Sequence, residues 1–119
     1  MAILRRHIER GRAVFKLPIS PMLGGGVGGG VHGGVLSALA DIAVVSAVRT
    51  ICVQGDVMRG TAELNISYLR PAIGRELTVT GSILKKGSSL AVGDAEIHND
   101  EGKLIAKARV TYALGQDRD

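Results

Sequence analysis

The stretch Val35-Leu36-Ser37-Ala38-Leu39-Ala40-Asp41-Ile42-Ala43-Val44-Val45-Ser46-Ala47-Val48-Arg49-Thr50-Ile51-Cys52-Val53 decides how this chain folds. Only Ser37, Asp41, Ser46, Arg49 and Thr50 are polar, so a helix made from it is apolar on nearly every face. Such a helix must be covered by the rest of the fold. Gly55 follows as a stop signal. Upstream, Gly24 to Gly34 holds eight glycines in eleven positions and ends in His32-Gly33-Gly34.

Beyond the helix the hydrophobic period changes to two. Ala62, Leu64, Ile66 and Tyr68 alternate with Thr61, Glu63, Asn65 and Ser67 up to Pro71. Leu77, Val79 and Ile83 alternate with Thr78, Thr80 and Ser82. A third run covers Ser89 to His98, and a phase slip near Gly93 predicts a bulge there. In the fourth, Leu104, Ala106, Ala108, Val110, Tyr112 and Leu114 oppose Lys103, Lys107, Arg109 and Thr111. Turn signals separate the runs at Ala72-Ile73-Gly74, Lys86-Gly87 and Asn99-Asp100-Glu101-Gly102. Before the helix, Arg12 to Leu17 reads as a strand ended by Pro18 and Pro21, and residues 1–10 read as a basic lead-in with a helical turn. A strand, a long helix and four strands in an antiparallel meander predict an α+β fold. One curved sheet curls around one central helix on most of its sides.

At 119 residues the chain suits one domain, 1–119. Its composition is 45% hydrophobic but 3% aromatic. A core with so little aromatic bulk gains stability by burying surface against a second copy. The net charge is +4, but five of the fifteen basic residues (Arg5, Arg6, Arg10, Arg12 and Lys16) crowd the first sixteen positions. No aromatic residues interleave with the basic ones, which argues against nucleic acid; a mildly basic surface suits a phosphorylated small ligand. The single cysteine, Cys52, lies in a Val/Ile run, so no intrachain disulfide forms and a cytoplasmic location is expected. Asp41 and Arg49 interrupt the apolar helix, whose longest uncharged stretch, Ile42 to Val48, is too short for a bilayer, so no membrane partner is expected. The segment that a signal peptide would need to be apolar, Pro18 to Gly34, is dominated by glycine and proline. His7, His32 and His98 lie far apart, so no metal site is expected.

Chemistry concentrates where the glycine run meets the helix. Gly28-x-Gly30-x-x-Gly33 matches a dinucleotide fingerprint, and Asp56 follows at 23 residues, but so many glycines make such matches nearly unavoidable. The antiparallel hairpins that follow leave no second βαβ unit. A lysine-bearing phosphate loop is excluded, because no lysine occurs between Lys16 and Lys85. His32 either caps the helix or stands beside free N–H groups of Gly33 and Gly34 that face a developing oxyanion. Asp41 either pairs with Arg49, caps a neighbouring chain, or acts as a catalytic carboxylate in apolar surroundings. Eight residues of helix separate Gly33 from Asp41 by about 12 Å and about 80° of rotation. If the two share a site, they come from different subunits, so the protein is at least a homodimer.

Three segments in order carry a family resemblance. They are His32-Gly33-Gly34 with Leu39-Ala40-Asp41, then Ala62-Glu63-Leu64-Asn65-Ile66-Ser67-Tyr68-Leu69-Arg70-Pro71-Ala72, then Asp100-Glu101-Gly102-Lys103-Leu104-Ile105-Ala106. Over about residues 11–114 the chain resembles the hotdog-fold acyl-CoA thioesterases, in the phenylacetate-pathway (PaaI-like) branch of the 4-hydroxybenzoyl-CoA thioesterase superfamily. The resemblance implies that two chains join into one continuous sheet, with acyl-CoA at the subunit interface and no cofactor. It also implies a homodimer at least, with a homotetramer expected. The Gly33 N–H would polarise the thioester carbonyl, with Gly34 beside it, and Asp41 of the other subunit would act as general base or nucleophile. Thr61 would help hold the water, and His32 would lie near the thioester and the leaving thiolate. Lys85 and Lys86, with Arg59, Arg70 and Arg75, are candidates to bind the CoA phosphates. One position departs from the family: Gly26 stands where members carry an asparagine that binds the carbonyl. Losing one such donor costs about a hundredfold or more in rate, so a non-catalytic acyl-CoA-binding protein is the alternative.

Overall fold

The computed structural model describes residues 5–20, 24 and 29–117. Gly26, one of the expected substrate-binding positions, lies outside them. The elements are β1 (Arg5–Glu9), β2 (Arg12–Pro18), α1 (Gly33–Ile51), β3 (Asp56–Tyr68), β4 (Glu76–Lys86), β5 (Leu90–Asn99) and β6 (Leu104–Gln116). The strands form one antiparallel sheet in the order β1-β2-β4-β5-β6-β3. An antiparallel sheet packed on one long helix is the α+β layout expected from the period change.

The helix begins at Gly33, where His32 is the N-cap, and ends at Ile51, with Cys52 in extended geometry. Its buried residues, Leu36, Leu39, Ala40, Ala43, Val44, Ala47 and Val48, recur every three or four positions and so form one stripe. The sheet meets that stripe with Phe15 and Leu17 of β2, Leu77 and Val79 of β4, Ile97 of β5 and Val110 of β6, all at most 5% exposed. Fully burying each such side chain contributes about 1.5–3 kcal/mol. The closest approach is at Gly81 on β4, where a Cβ would lie 2.5 Å from the Ala43 carbonyl carbon. Only glycine fits there, because any side chain would push helix and strand apart.

The sheet curves around the helix as expected and leaves one exposed stripe, at Gly34, Ala38, Ile42 (41% exposed) and Arg49. Three expectations are corrected. By length and mean hydropathy α1 would suit a membrane span, but its closed stripe is that of a core helix. The four later strands are not a simple meander, since β3 pairs with β6 at the far edge and only β4, β5 and β6 are consecutive neighbours. Alternation tells which face a strand presents, not which strand lies beside it. The slip placed near Gly93 belongs to the facing strand: burial alternates without a break along β5, while β4 shifts register between Ile83 and Lys85, opposite Gly93 and Val92. Finally, the basic lead-in is not helical over Arg5–Glu9, which pairs with β2 as a fully exposed edge strand.

Candidate active site

The N-terminus of α1 and Asp41, about two turns further along, carry the expected chemistry, and β3 reaches both. At the N-terminus, the Gly34 N–H donates to Nδ1 of His32 at 2.9 Å, so His32 is a helix cap. His32 C=O accepts from the N–H groups of Val35 and Leu36. The Gly33 N–H makes no hydrogen bond among the described residues, which leaves it the open donor at the positive end of the helix dipole. Gly34 is engaged by His32 and is not open in the same way.

Asp41 is half-buried on the face of α1 that the sheet leaves uncovered. Its Oδ1 accepts from the Thr61 hydroxyl at 2.6 Å, and its Oδ2 has no partner among the described residues. The Arg49 pairing does not form: Arg49 is exposed and makes no ion pair with Asp41. Thr61 reaches Asp41 because β3 is bulged. Register shifts between Met58 and Gly60 and between Thr61 and Glu63, so Ala62 is an extra residue and Thr61 pairs with the buried Tyr112. Simple alternation places Thr61 with Glu63 and Asn65 on the outward face. The bulge turns it onto the helix side instead.

Further along β3, Tyr68 lies against the helix N-terminus. Its hydroxyl donates to the Gly33 carbonyl at 2.8 Å and lies 2.6 Å from the Ser37 hydroxyl. A Cβ on Gly33 would sit 3.2 Å from the tyrosine ring, so the ring and the glycine fit each other. Neither Tyr68 nor Ser37 stands out in the sequence as a site residue. The available signal is a glycine at a helix start that no backbone conformation requires, which points to a bulky neighbour.

The basic candidates are placed elsewhere. Lys85 and Lys86 end β4 near the C-terminal end of α1, where Gly11 links Ile83 to Thr50 through its C=O and N–H. Nineteen residues of helix put that end roughly 27 Å from Gly33. Lys86 is held by Asp56, at 2.8 Å. This ammonium, the Val53 N–H and the Gln116 amide lower the Asp56 carboxyl from 3.8 to about 2. Lys85 is exposed and unpaired among the described residues. Arg70 donates to the Leu104 carbonyl at 2.9 Å, and Arg59 lies over Gly115. Among the described residues no three His, Cys, Asp or Glu side chains are grouped to hold a metal.

Known proteins share both sequence and fold with this chain. It is 45% identical to the medium/long-chain acyl-CoA thioesterase YigI of Escherichia coli over 56 residues, which are 47% of this chain and 36% of YigI. The match thus takes in well under two thirds of that relative. A solved structure of the BH2602 protein from Bacillus halodurans with CoA superposes with a TM-score of 0.82 at 28% identity, covering 97% of this chain and 76% of that one. The E. coli PaaI protein of the phenylacetic acid degradation operon superposes with a TM-score of 0.78 at 28% identity, covering 93% and 80%. The hotdog fold and the PaaI-like resemblance are thereby borne out. The sequence profile of the thioesterase superfamily matches residues 28–106, and the chain belongs to that superfamily.

Proposed function

We propose that the chain is an acyl-CoA thioesterase, yielding a free carboxylic acid and CoA, whose site is shared between two subunits. The observation that carries this reading is the Asp41–Thr61 pair on the uncovered helix face, with one carboxylate oxygen free. The family and the acyl-CoA thioesterase name of YigI support the substrate class. Asp41 Oδ2 takes a proton from water, and the resulting hydroxide attacks the thioester carbonyl carbon. The Gly33 N–H of the other subunit donates to the oxyanion of the tetrahedral intermediate. Collapse breaks the C–S bond, and the CoA thiolate takes up the proton that Asp41 holds, which restores the carboxylate. Thr61 keeps Oδ1 occupied, which aims the free oxygen, and its own lone pairs are available to the water. Nucleophilic attack by Asp41 itself is the other route from the same geometry.

The partner chain is expected at β3. This strand spans Asp56–Tyr68, thirteen residues, and among the described residues it pairs on one side only, with β6, so its other edge is open to a further strand. A two-fold pairing there makes a homodimer with two equivalent sites, and two dimers make the expected homotetramer. A soluble, cytoplasmic enzyme agrees with this assignment.

Two variants test it together. Asp41→Asn removes the base. Gly33→Pro removes the donor N–H at the first helical position, where the exposed Tyr68 ring must give by a few tenths of an ångström, and His32 is already extended (φ −60, ψ 138), as a residue before proline must be. Each variant alone should lose acyl-CoA hydrolysis. Co-refolding equal amounts should restore about a quarter of the wild-type sites, since half the dimers are mixed and each has one intact site. No recovery on mixing sinks the shared site; unchanged turnover in Asp41→Asn sinks the mechanism. Binding of acyl-CoA without turnover in the wild type would favour the non-catalytic reading that Gly26 motivates. In that case Gly26→Asn should bring hydrolysis back.

A further inference from the structure

Tyr68 has no role in the mechanism above, yet it makes two short hydrogen bonds at the donor turn. Its hydroxyl has one proton. The Gly33 carbonyl only accepts, so the 2.8 Å bond uses that proton. The 2.6 Å bond must therefore run from the Ser37 hydroxyl to the Tyr68 oxygen. The peptide unit that holds the Gly33 carbonyl also holds the Gly34 N–H, which donates to His32 Nδ1 at 2.9 Å. An amide N–H only donates, so Nδ1 carries a lone pair and neutral His32 carries its proton on Nε2. Three hydrogen bonds thus point one way: Ser37 to Tyr68, Tyr68 to the Gly33–Gly34 peptide, and that peptide to His32. Bonds aligned head to tail polarise and strengthen one another.

We propose that Tyr68, oriented by Ser37, is a positioning residue for the oxyanion-donor turn. Its ring packs against Gly33 and its hydroxyl holds the Gly33 carbonyl; this fixes the peptide after the Gly33 Cα and limits how the peptide before it, which carries the open Gly33 N–H, can turn. Through the Gly34 N–H the same chain sets His32 as an Nε2–H donor. A turn with fixed donors is what this chain needs where Gly26 supplies no amide side chain. The effect on rate rests on the thioesterase reading. The effect on the turn does not.

Tyr68→Phe keeps the ring and removes the hydroxyl. We expect kcat for acyl-CoA hydrolysis to fall about tenfold with KM within about twofold, the pattern of a lost transition-state interaction. Ser37→Ala should give a smaller fall, and the double variant should be no slower than Tyr68→Phe, because Ser37 acts through Tyr68. Nitrogen-15 spectra supply a readout that needs no turnover. The Gly34 amide should shift in Tyr68→Phe, and His32 should move from one tautomer to a mixture. An unchanged kcat with an unshifted Gly34 amide overturns the proposal. A raised KM with intact kcat also overturns it, by making Tyr68 a substrate contact. If the wild type hydrolyses no acyl-CoA, the thioesterase reading fails, and the positioning role then stands or falls on the His32 tautomer alone.

Discussion

The two faces of α1 are opposite in use. One face, Leu36, Leu39, Ala40, Ala43, Val44, Ala47 and Val48, is closed by the sheet of its own chain. The other, with Ala38, Asp41, Ile42 and Arg49, is left at least partly open. A helix apolar on nearly every face needs cover on nearly every face, and the sheet of one chain leaves a stripe of it open. The carboxylate of the proposed mechanism sits on the side that the fold does not finish. Stability and chemistry are therefore separable by face.

The sharpest way to test that separation is through rate. Asp41→Asn should lower kcat by about 10²–10⁴, the usual range for a general base, while the melting temperature stays within a degree or so of wild type, about the scale of a surface change. A large loss of stability would mean that Asp41 belongs to the core. On the closed face the prediction is reversed. Val48→Ala, buried on the other side of Ala43 from Gly33, should cost about 1–3 kcal/mol of stability, measured by denaturant titration, with kcat per folded molecule unchanged. A third test concerns the end of the helix that neither face governs. Asp56 is held at about 2 against an ordinary 3.8, so it stabilises the folded state above pH 4 and loses that effect as pH falls through 2. The melting temperature of Asp56→Asn should accordingly fall less than that of wild type on acidification from pH 5 to 2. Parallel curves for the two proteins would remove the Lys86–Asp56 pair from the account. The smallest effect is expected for Ile42→Ala, within about 0.5 kcal/mol in dilute protein. Its cost should grow with concentration as the partner covers that face.

What could be read in the sequence divides along the same line. The closed side announces itself: the apolar run gives α1 to within two residues at each end, and β4 and β6 follow from alternation, while β5 is read with a slip that belongs to β4. Those signals exist because burial imposes a period. Arg5–Glu9 is exposed along its length, so burial imposes no period on it and no strand signal marks it in the sequence. Asp41, Gly33 and His32 were legible because each residue type is unusual where it stands. The contact from Thr61 to Asp41 was not, since it depends on a bulge at Ala62 that reverses the apparent phase of β3. Tyr68 was hidden for another reason. It looks like one more inward strand residue, and its partner is a carbonyl, which leaves no mark in a sequence.

The contact at Gly81 has a mechanical meaning. It pins the helix backbone to β4 at Ala43, two residues beyond Asp41 and ten beyond Gly33. Measured along the axis, those arms are about 3 Å and about 15 Å. Tilting α1 by about 5° on this pivot moves Asp41 by only about 0.3 Å but swings Gly33 by about 1.3 Å. The helix is a lever with its short arm on the proposed base and its long arm on the proposed oxyanion donor. Small changes in side-chain packing near the N-terminus can therefore retune the donor while the water-activating end stays in place.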